Sequence, residues 1–263
     1  MERAEQLQCE SLQLFTRNQL QWKSAPVSLA ESERFYRARM ESNIKNVVSH
    51  ASYLINLAGA PDIRDKSIDA LIAEVERCDQ LGIDDVVLHP GACGDQGASA
   101  GLNLLGEALS LVLERTDHTS VRLLLETMAG QGTSFGSKIE EFSFLLDLLE
   151  NHPRIHLCID FCHVFAAGYE IRTEEGYNRF IAVLEKHIGL SRIACWHLSD
   201  SKRSKGERRD RHEHIGAGEI GLTPFALLVT DSRFQTIPAV LETPKNGVGD
   251  AGNLELLRKI RGY

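Results

Sequence analysis

The sequence predicts an α/β chain of the TIM-type (β/α)-barrel class, with seven of eight strands visible and the first one lacking. Three observations predict it. Short apolar runs recur about 35–45 residues apart and alternate with helical patterns. Six of these runs end in an imidazole or a carboxylate or are followed directly by one, which is where a parallel barrel carries its chemistry. No GxGxxG or P-loop pattern opens a helix, and an open doubly wound sheet would gather its ligands at one switch point, not at six strand ends.

The strand-like runs are Ser11–Phe15, Asn46–Ser49, Asp85–His89, Val121–Glu126, Ile155–Asp160, Ile193–His197 and Ile237–Glu242. They are rich in Val, Ile and Leu without alternation, as parallel strands covered on both faces should be. The helical patterns are Glu2–Gln8, Asp65–Leu81, Gly101–Arg115, Ser137–Leu149, Glu174–His187, Pro224–Leu228 and Asn253–Lys259. Gly82 closes the second of them as a C-cap. No linker or low-complexity stretch interrupts the pattern, so residues 1–263 read as one domain.

Hydrophobic residues make up 43% of the chain and charged residues 25%, the balance of a soluble globular protein. No apolar run approaches the roughly 20 residues of a membrane span. Met1-Glu2-Arg3-Ala4-Glu5 lacks the apolar core of a secretion signal, so a cytoplasmic protein with no membrane partner is expected. Cys9, Cys78, Cys93, Cys158, Cys162 and Cys195 are scattered and read as reduced thiols. Cys158 and Cys162 flank Asp160, but small buried residues account for them better than a metal pair does.

The net charge of −8 argues against nucleic acid as a partner. Three bound divalent ions would bring it to −2. Local charge also counts for more than the total. The stretch Ser201–Arg211, SKRSKGERRDR, carries Lys202, Arg203, Lys205, Arg208, Arg209 and Arg211. Taken alone it is simply a solvated loop. Its place between His197 and the pair Asp210/His212 favours a phosphate-binding role.

Nine side chains are candidate metal ligands: His50, His89, Glu126, Asp160, His163, His197, Asp210, His212 and Glu242. A charged or imidazole group at the end of a buried strand is poorly hydrated and needs a strong partner. Five imidazoles and four carboxylates point to more than one cation. Each has an ordinary explanation by itself: a core histidine, a buried Glu–Arg pair, or an Asp160–His163 hydrogen bond. His118, His152 and His187 fall in loop or helix-end contexts and read as solvated. His156 and His214 also lie outside the pattern, His214 only two residues beyond His212.

The motifs are His50-Ala51-Ser52-Tyr53-Leu54, His89-Pro90-Gly91, Glu126-Thr127-Met128-Ala129-Gly130-Gln131-Gly132, Cys158-Ile159-Asp160-Phe161-Cys162-His163, His197-Leu198-Ser199-Asp200-Ser201, Asp210-Arg211-His212-Glu213-His214-Ile215-Gly216 and Leu241-Glu242-Thr243-Pro244. Taken in order from about Leu14 to Pro244, they resemble the endonuclease IV family of apurinic/apyrimidinic endonucleases. The resemblance implies a DNA-repair hydrolase that cuts duplex DNA on the 5′ side of an abasic site. It would leave a 3′-hydroxyl and a 5′-deoxyribose phosphate and would also act as a 3′-phosphodiesterase. It implies three zinc ions, with manganese an option at one position. His50, His89 and Glu126 would hold the first. Glu126 would bridge to a second held by Asp160, His197 and Glu242. His163, Asp210 and His212 would hold the third. Glu126 and Glu242 are the implied catalytic carboxylates. Asn18, Gln19, Tyr53, Leu54, Lys202, Arg203 and Arg211 are the implied DNA contacts, and the protein would act as a monomer. Leu20 and Phe161 depart from the family pattern, and Phe161 is expected to reshape the wall of the site.

Two other readings start from the same residues. A divalent-metal sugar isomerase of similar barrel fold would use Glu126, Asp160, His197 and Glu242 and leave the other five ligands and the basic stretch idle. A non-catalytic, truncated homologue would bind DNA without cutting it.

Overall fold

The computed structural model describes residues 1–262. Seven strands form one sheet: β1 (Ser11–Leu14), β2 (Asn46–His50), β3 (Asp85–Leu88), β4 (Arg122–Glu126), β5 (Ile155–Asp160), β6 (Ile193–Leu198) and β9 (Ala239–Leu241), in that order. A separate antiparallel pair, β7 (Asp200–Ser201) and β8 (His212–Glu213), pairs Asp200 with Glu213 and Ser201 with His212. The helices are α1 (Glu2–Gln6), α2 (Leu29–Met40), α3 (Pro61–Leu81), α4 (Ala98–Arg115), α5 (Ile139–Leu148), α6 (Phe161–Ala167), α7 (Glu174–Ile188), α8 (Thr223–Thr230) and α9 (Gly249–Arg261). No helix among the described residues is long and apolar enough to cross a membrane.

The chain forms two compact units. The first comprises Met1–Glu126, Gly132–Phe135 and Phe144–Leu157; the second comprises Thr127–Gln131, Gly136–Ser143 and the chain from Cys158 onward. In the first, β1, β2, β3 and β4 are parallel neighbours, with Leu14 opposite Ser49, His50 opposite Val87 and Leu88 opposite Leu125. Val48, Val86, Val87, Leu123 and Leu124 are fully buried, and α3 and α4 contribute Leu71, Val75, Leu105, Leu109 and Val112. Pro61 opens α3 in its first turn, four residues before the expected start, and Gly82 closes it with φ 66°.

Two buried polar knots brace this unit. Glu74 Oε1 accepts hydrogen bonds from Thr16 Oγ1 and Ser49 Oγ, each at 2.7 Å, and Arg17 Nε lies 3.3 Å from Glu74 Oε2. Arg154 donates to Val121 O at 2.7 Å, Thr116 O at 2.7 Å and Thr116 Oγ1 at 2.9 Å. An arginine at the foot of β5 thereby ties up the carbonyls where α4 runs out.

Helix α2 is absent from the sequence expectation. It buries no residue, so it shows no apolar period; what marks its start is a capping box. Ser28 Oγ accepts from Glu31 N at 3.3 Å, and Glu31 Oε2 accepts from Ser28 N at 2.9 Å.

In the second unit β6 and β9 are parallel, with His197 opposite Val240. Strand β5 ends at Asp160, whose Oδ1 accepts from His163 N at 2.7 Å and caps α6, a second helix the sequence did not announce. The ring of Phe161 lies 5.5 Å from Trp196 and 5.4 Å from Phe225, with Phe234 5.0 Å from Trp196. The expectation that Phe161 shapes the site wall is therefore corrected. Its aromatic ring is fully buried in this cluster, where apolar burial holds it.

Candidate metal centre

The first unit carries one donor group complete: His50 at the end of β2, His89 one residue past β3, and Glu126 at the end of β4. His50 Nε2 lies 3.2 Å and His89 Nε2 3.3 Å from Glu126 Oε2. His50 Nδ1 sits 2.7 Å from Ala51 O, a partner that can only accept. Nδ1 therefore carries the proton, and in the neutral ring Nε2 presents a lone pair to a carboxylate oxygen. Two acceptors face each other across 3.2 Å. Only a proton or a cation relieves that opposition.

The second unit repeats the arrangement twice. His163 Nδ1 donates to Thr127 O and His212 Nδ1 to Glu242 O, both at 2.7 Å. Their Nε2 atoms face one carboxylate: His163 at 3.3 Å from Asp210 Oδ2, His212 at 2.8 Å from Asp210 Oδ1. Burial alone would raise the Asp210 carboxyl, but the hydrogen bonds and charges of His163 and His212 outweigh it and hold it well below the usual carboxylate range. Burial would lower His212; the hydrogen bond to Asp210 and the charges of Asp160 and Asp210 instead push it up to about 9. Beside this group, His197 Nδ1 lies 3.4 Å from Glu242 Oε1 and 3.9 Å from Asp160 Oδ2.

Nitrogen and oxygen donors in threes, with histidines oriented through Nδ1 by backbone carbonyls, are what zinc and similar divalent ions accept. The residues present fit such ions. Two more groups contain thiols: Cys158/Cys195/His197 and Asp160/Cys162/His212. Burial first, and then the charge of Asp160, pushes the Cys162 thiol up to about 12, so it stays protonated at neutral pH.

Residues that are not donors hold the donors in place. Thr127 Oγ1 accepts from Asp160 N at 2.8 Å while its carbonyl holds His163. Gln131 Oε1 accepts from Asp210 N at 2.9 Å. Asp200, fully buried, anchors the β7–β8 hairpin by accepting from Ser201 N at 2.7 Å, Ile220 N at 2.8 Å and Gly221 N at 3.2 Å. The backbone at Gly218 closes so tightly here that a Cβ would lie 2.5 Å from Asp200 Oδ1. Thr127, Gln131 and Asp200 all lie inside motifs quoted from the sequence. Their roles were not legible because their partners are backbone atoms of remote segments.

The residues singled out for DNA fall in two places. In the first unit, Ser52 Oγ donates to Gln19 O at 2.7 Å, which joins the loop of Asn18 and Gln19 to that of Tyr53 and Leu54. Asn18 folds its own loop by accepting from Leu20 N at 2.9 Å, and Leu20 points to solvent. The half-exposed Tyr53 ring packs 5.2 Å from His50 and 5.5 Å from His89. In the second unit Lys202 and Arg211 are exposed and Arg203 half-buried. Lys202 Nζ lies 3.8 Å from Glu213 Oε2, and Arg211 donates to Asp210 O. Lys205, in the same stretch, is tied to Glu170 at 3.0 Å.

Of the histidines set aside, His118 is solvated. His152 and His187 are half-buried, which corrects their reading as solvated: His152 Nδ1 accepts from Arg154 N at 3.2 Å, and His187 lies 4.0 Å from Glu140. His214 stands in no donor group and is bonded to Asn253.

Residues 1–260 match the family described as a xylose isomerase-like TIM barrel. A curated relative, the probable endonuclease 4 of Chloroflexus aurantiacus, is 44% identical over 98% of this chain and 92% of its own length. That of Trichlorobacter lovleyi is 43% identical, with 99% and 94% covered. Among solved structures, endonuclease IV from Thermus thermophilus aligns with a TM-score of 0.87 at 31% identity, over 98% of this chain and 91% of that one. A D-tagatose 3-epimerase-like protein reaches 0.74 at 18% identity over 99% and 91%, a likeness of fold alone. Parallel strands ending in imidazoles and carboxylates, and relatives aligned almost end to end, lead to one conclusion: the chain belongs to the endonuclease IV family, DNA-repair endonucleases built on a TIM barrel.

Proposed function

We propose that the chain hydrolyses the phosphodiester 5′ to an abasic site in duplex DNA, leaving a 3′-hydroxyl and a 5′-deoxyribose phosphate, and that it also removes 3′ blocking groups. It does so as a cytoplasmic monomer with one catalytic domain over residues 1–263. We assign His50, His89 and Glu126 to one zinc ion. Glu126 is shared with a second, held also by Asp160, His197 and Glu242. His163, Asp210 and His212 hold the third, and manganese can replace zinc at one position. When bound, the ions supply Lewis acidity toward the phosphodiester and a water nucleophile at neutral pH.

The protein's own part is orientation. Backbone carbonyls fix His50, His163 and His212 through Nδ1, so their Nε2 lone pairs point at carboxylates. Glu242 orients the attacking oxygen. Tyr53 and Leu54 fill the space left when the abasic nucleotide leaves the stack. Asn18, Gln19, Lys202, Arg203 and Arg211 contact the backbone. The observation that carries this reading is the opposition of Nδ1-locked imidazoles and carboxylates, which occurs in both units and which cations resolve.

The test is incision of a synthetic duplex with one abasic site by the purified protein, with metal content measured on the same sample. Cleavage 5′ to the lesion with about three zinc ions per chain is expected. Binding of the duplex without cleavage by the metal-loaded protein sinks the proposal, as does a content of one or two manganese or magnesium ions without incision.

A further inference from the structure

Asn253 lies in the second turn of α9, only 1% exposed, and belongs to none of the donor groups. Its Oδ1 accepts from Ile215 N at 2.9 Å. Its amide nitrogen lies 2.6 Å from Gly249 O, 3.2 Å from Thr243 Oγ1 and 3.0 Å from His214 Nδ1. Ile215 N can only donate and Gly249 O can only accept, so the amide has one workable orientation.

These partners sit next to donors of the centre. His214 and Ile215 follow His212 by two and three residues, and Thr243 follows Glu242 by one. The two loops are thus joined twice. One tie is His212 Nδ1 to Glu242 O at 2.7 Å; the other is Asn253. His214 serves as a strut, with Nδ1 on Asn253 and Nε2 only 3.0 Å from where a Cβ at Gly247 would stand. The left-handed φ of Gly247, +61°, lets the 243–249 turn close on that ring.

We propose that Asn253 is a positioning residue for the metal centre. It fixes the spacing of the His212 and Glu242 loops and, through them, the site formed by His163, Asp210 and His212. The inference rests on the three-ion reading above. A buried amide satisfied on both sides holds its neighbours in one arrangement, and its loss strands an N–H and a carbonyl out of water. Loss of supporting groups around ligands typically weakens metal binding by about 10–100-fold.

The test counts ions kept per chain after dialysis against metal-free buffer, together with the visible absorption of the cobalt-substituted protein. All samples are compared well below their melting temperatures. The parent protein should keep three ions. Asn253→Ala should keep two, with zinc affinity of the weakest site reduced by about 10–100-fold and the cobalt bands changed. Thr243→Val, which removes one acceptor only, should keep three. Should Asn253→Ala fail to fold, Asn253→Asp preserves the acceptor for Ile215 while giving up the amide donor, and it too should lose one ion. Three ions held by the folded Asn253 variant with parental affinity and spectrum would overturn the inference and leave Asn253 a helix anchor only. A parent protein with fewer than three ions would overturn the three-ion reading and this inference together. A His212→Ala control that drops from three to two keeps that reading intact whatever Asn253 does.

Discussion

The two donor groups that each unit carries whole are built in opposite ways. His50, His89 and Glu126 stand at or just beyond the ends of three neighbouring parallel strands, and the register that puts His50 opposite Val87 and Leu88 opposite Leu125 sets their common level. His163, Asp210 and His212 come from the first turn of α6, from the hairpin loop and from the two-residue strand β8, all outside the seven-stranded sheet. Dedicated hydrogen bonds do that work: Thr127 O on His163, Gln131 Oε1 on Asp210 N, and Glu242 O on His212. A sheet delivers donors as a by-product of pairing. Loop-borne donors need ties of their own, so the second group should yield to substitutions at residues that never touch an ion, and the first should not.

The largest effect tests the strand-end group directly. Glu126→Gln removes the charge that faces both His50 and His89, and incision should fall on the order of 10³-fold while binding of the abasic duplex survives. Single-turnover cleavage and a gel shift separate the two; parental incision rates would refute the role of Glu126. Asp210→Asn comes next. It should cost about 10²-fold in incision and one bound ion, the scale expected when one ligand of one ion is weakened. The metal-free form of this variant should also show a His212 titration below the parental value of about 9 when followed by NMR.

The hairpin anchor gives a smaller, indirect effect. Asp200→Ala strands the N–H groups of Ser201, Ile220 and Gly221. It should destabilise the protein by roughly 1–3 kcal/mol in urea unfolding and release the ion of the loop-borne group before that of the strand-end group. Equal loss from both groups would erase the contrast. Smallest of all on activity is Arg154→Met. It should cost about 1–3 kcal/mol of stability while incision at 25 °C stays parental, because its partners are the carbonyls and hydroxyls of residues 116–121.

Chelation sharpens the comparison through pH. In the metal-free protein His212 is raised from 6.5 to about 9, so its contribution to stability is full below pH 6.5 and is lost as pH rises through about 9. Asp210 is depressed below 3.8, so its contribution is present above that value and is lost as pH falls below it. Thermal melts of the chelated protein should therefore decline on both flanks, and zinc should flatten the alkaline one. A chelated protein equally stable at pH 7 and pH 10 would contradict this assignment.

The same contrast explains what was legible in the sequence. His50, Glu126, Asp160 and His197 follow apolar runs, and burial on both strand faces is a strong local signal. His89 and Glu242 lie one residue past β3 and β9, a small boundary error. Helix α2 escaped because nothing in it is buried, and α6 because its cap, Asp160, reads equally well as a strand terminus. The roles of Asp200, which lies inside a quoted motif, and of Asn253, which lies in none, were not legible: each is a single polar residue whose meaning depends on backbone groups far along the chain.

Asp160 both caps α6 and belongs to a donor group. One oxygen of its carboxylate is committed to the N–H of His163 before any ion arrives. The side chain has thus lost its rotational freedom during folding, and capture of a cation there carries a smaller entropic penalty. Lengthening the side chain by one methylene, as in Asp160→Glu, would break that coupling: the helix could keep its cap or the site its ligand, but a single carboxylate would no longer serve both.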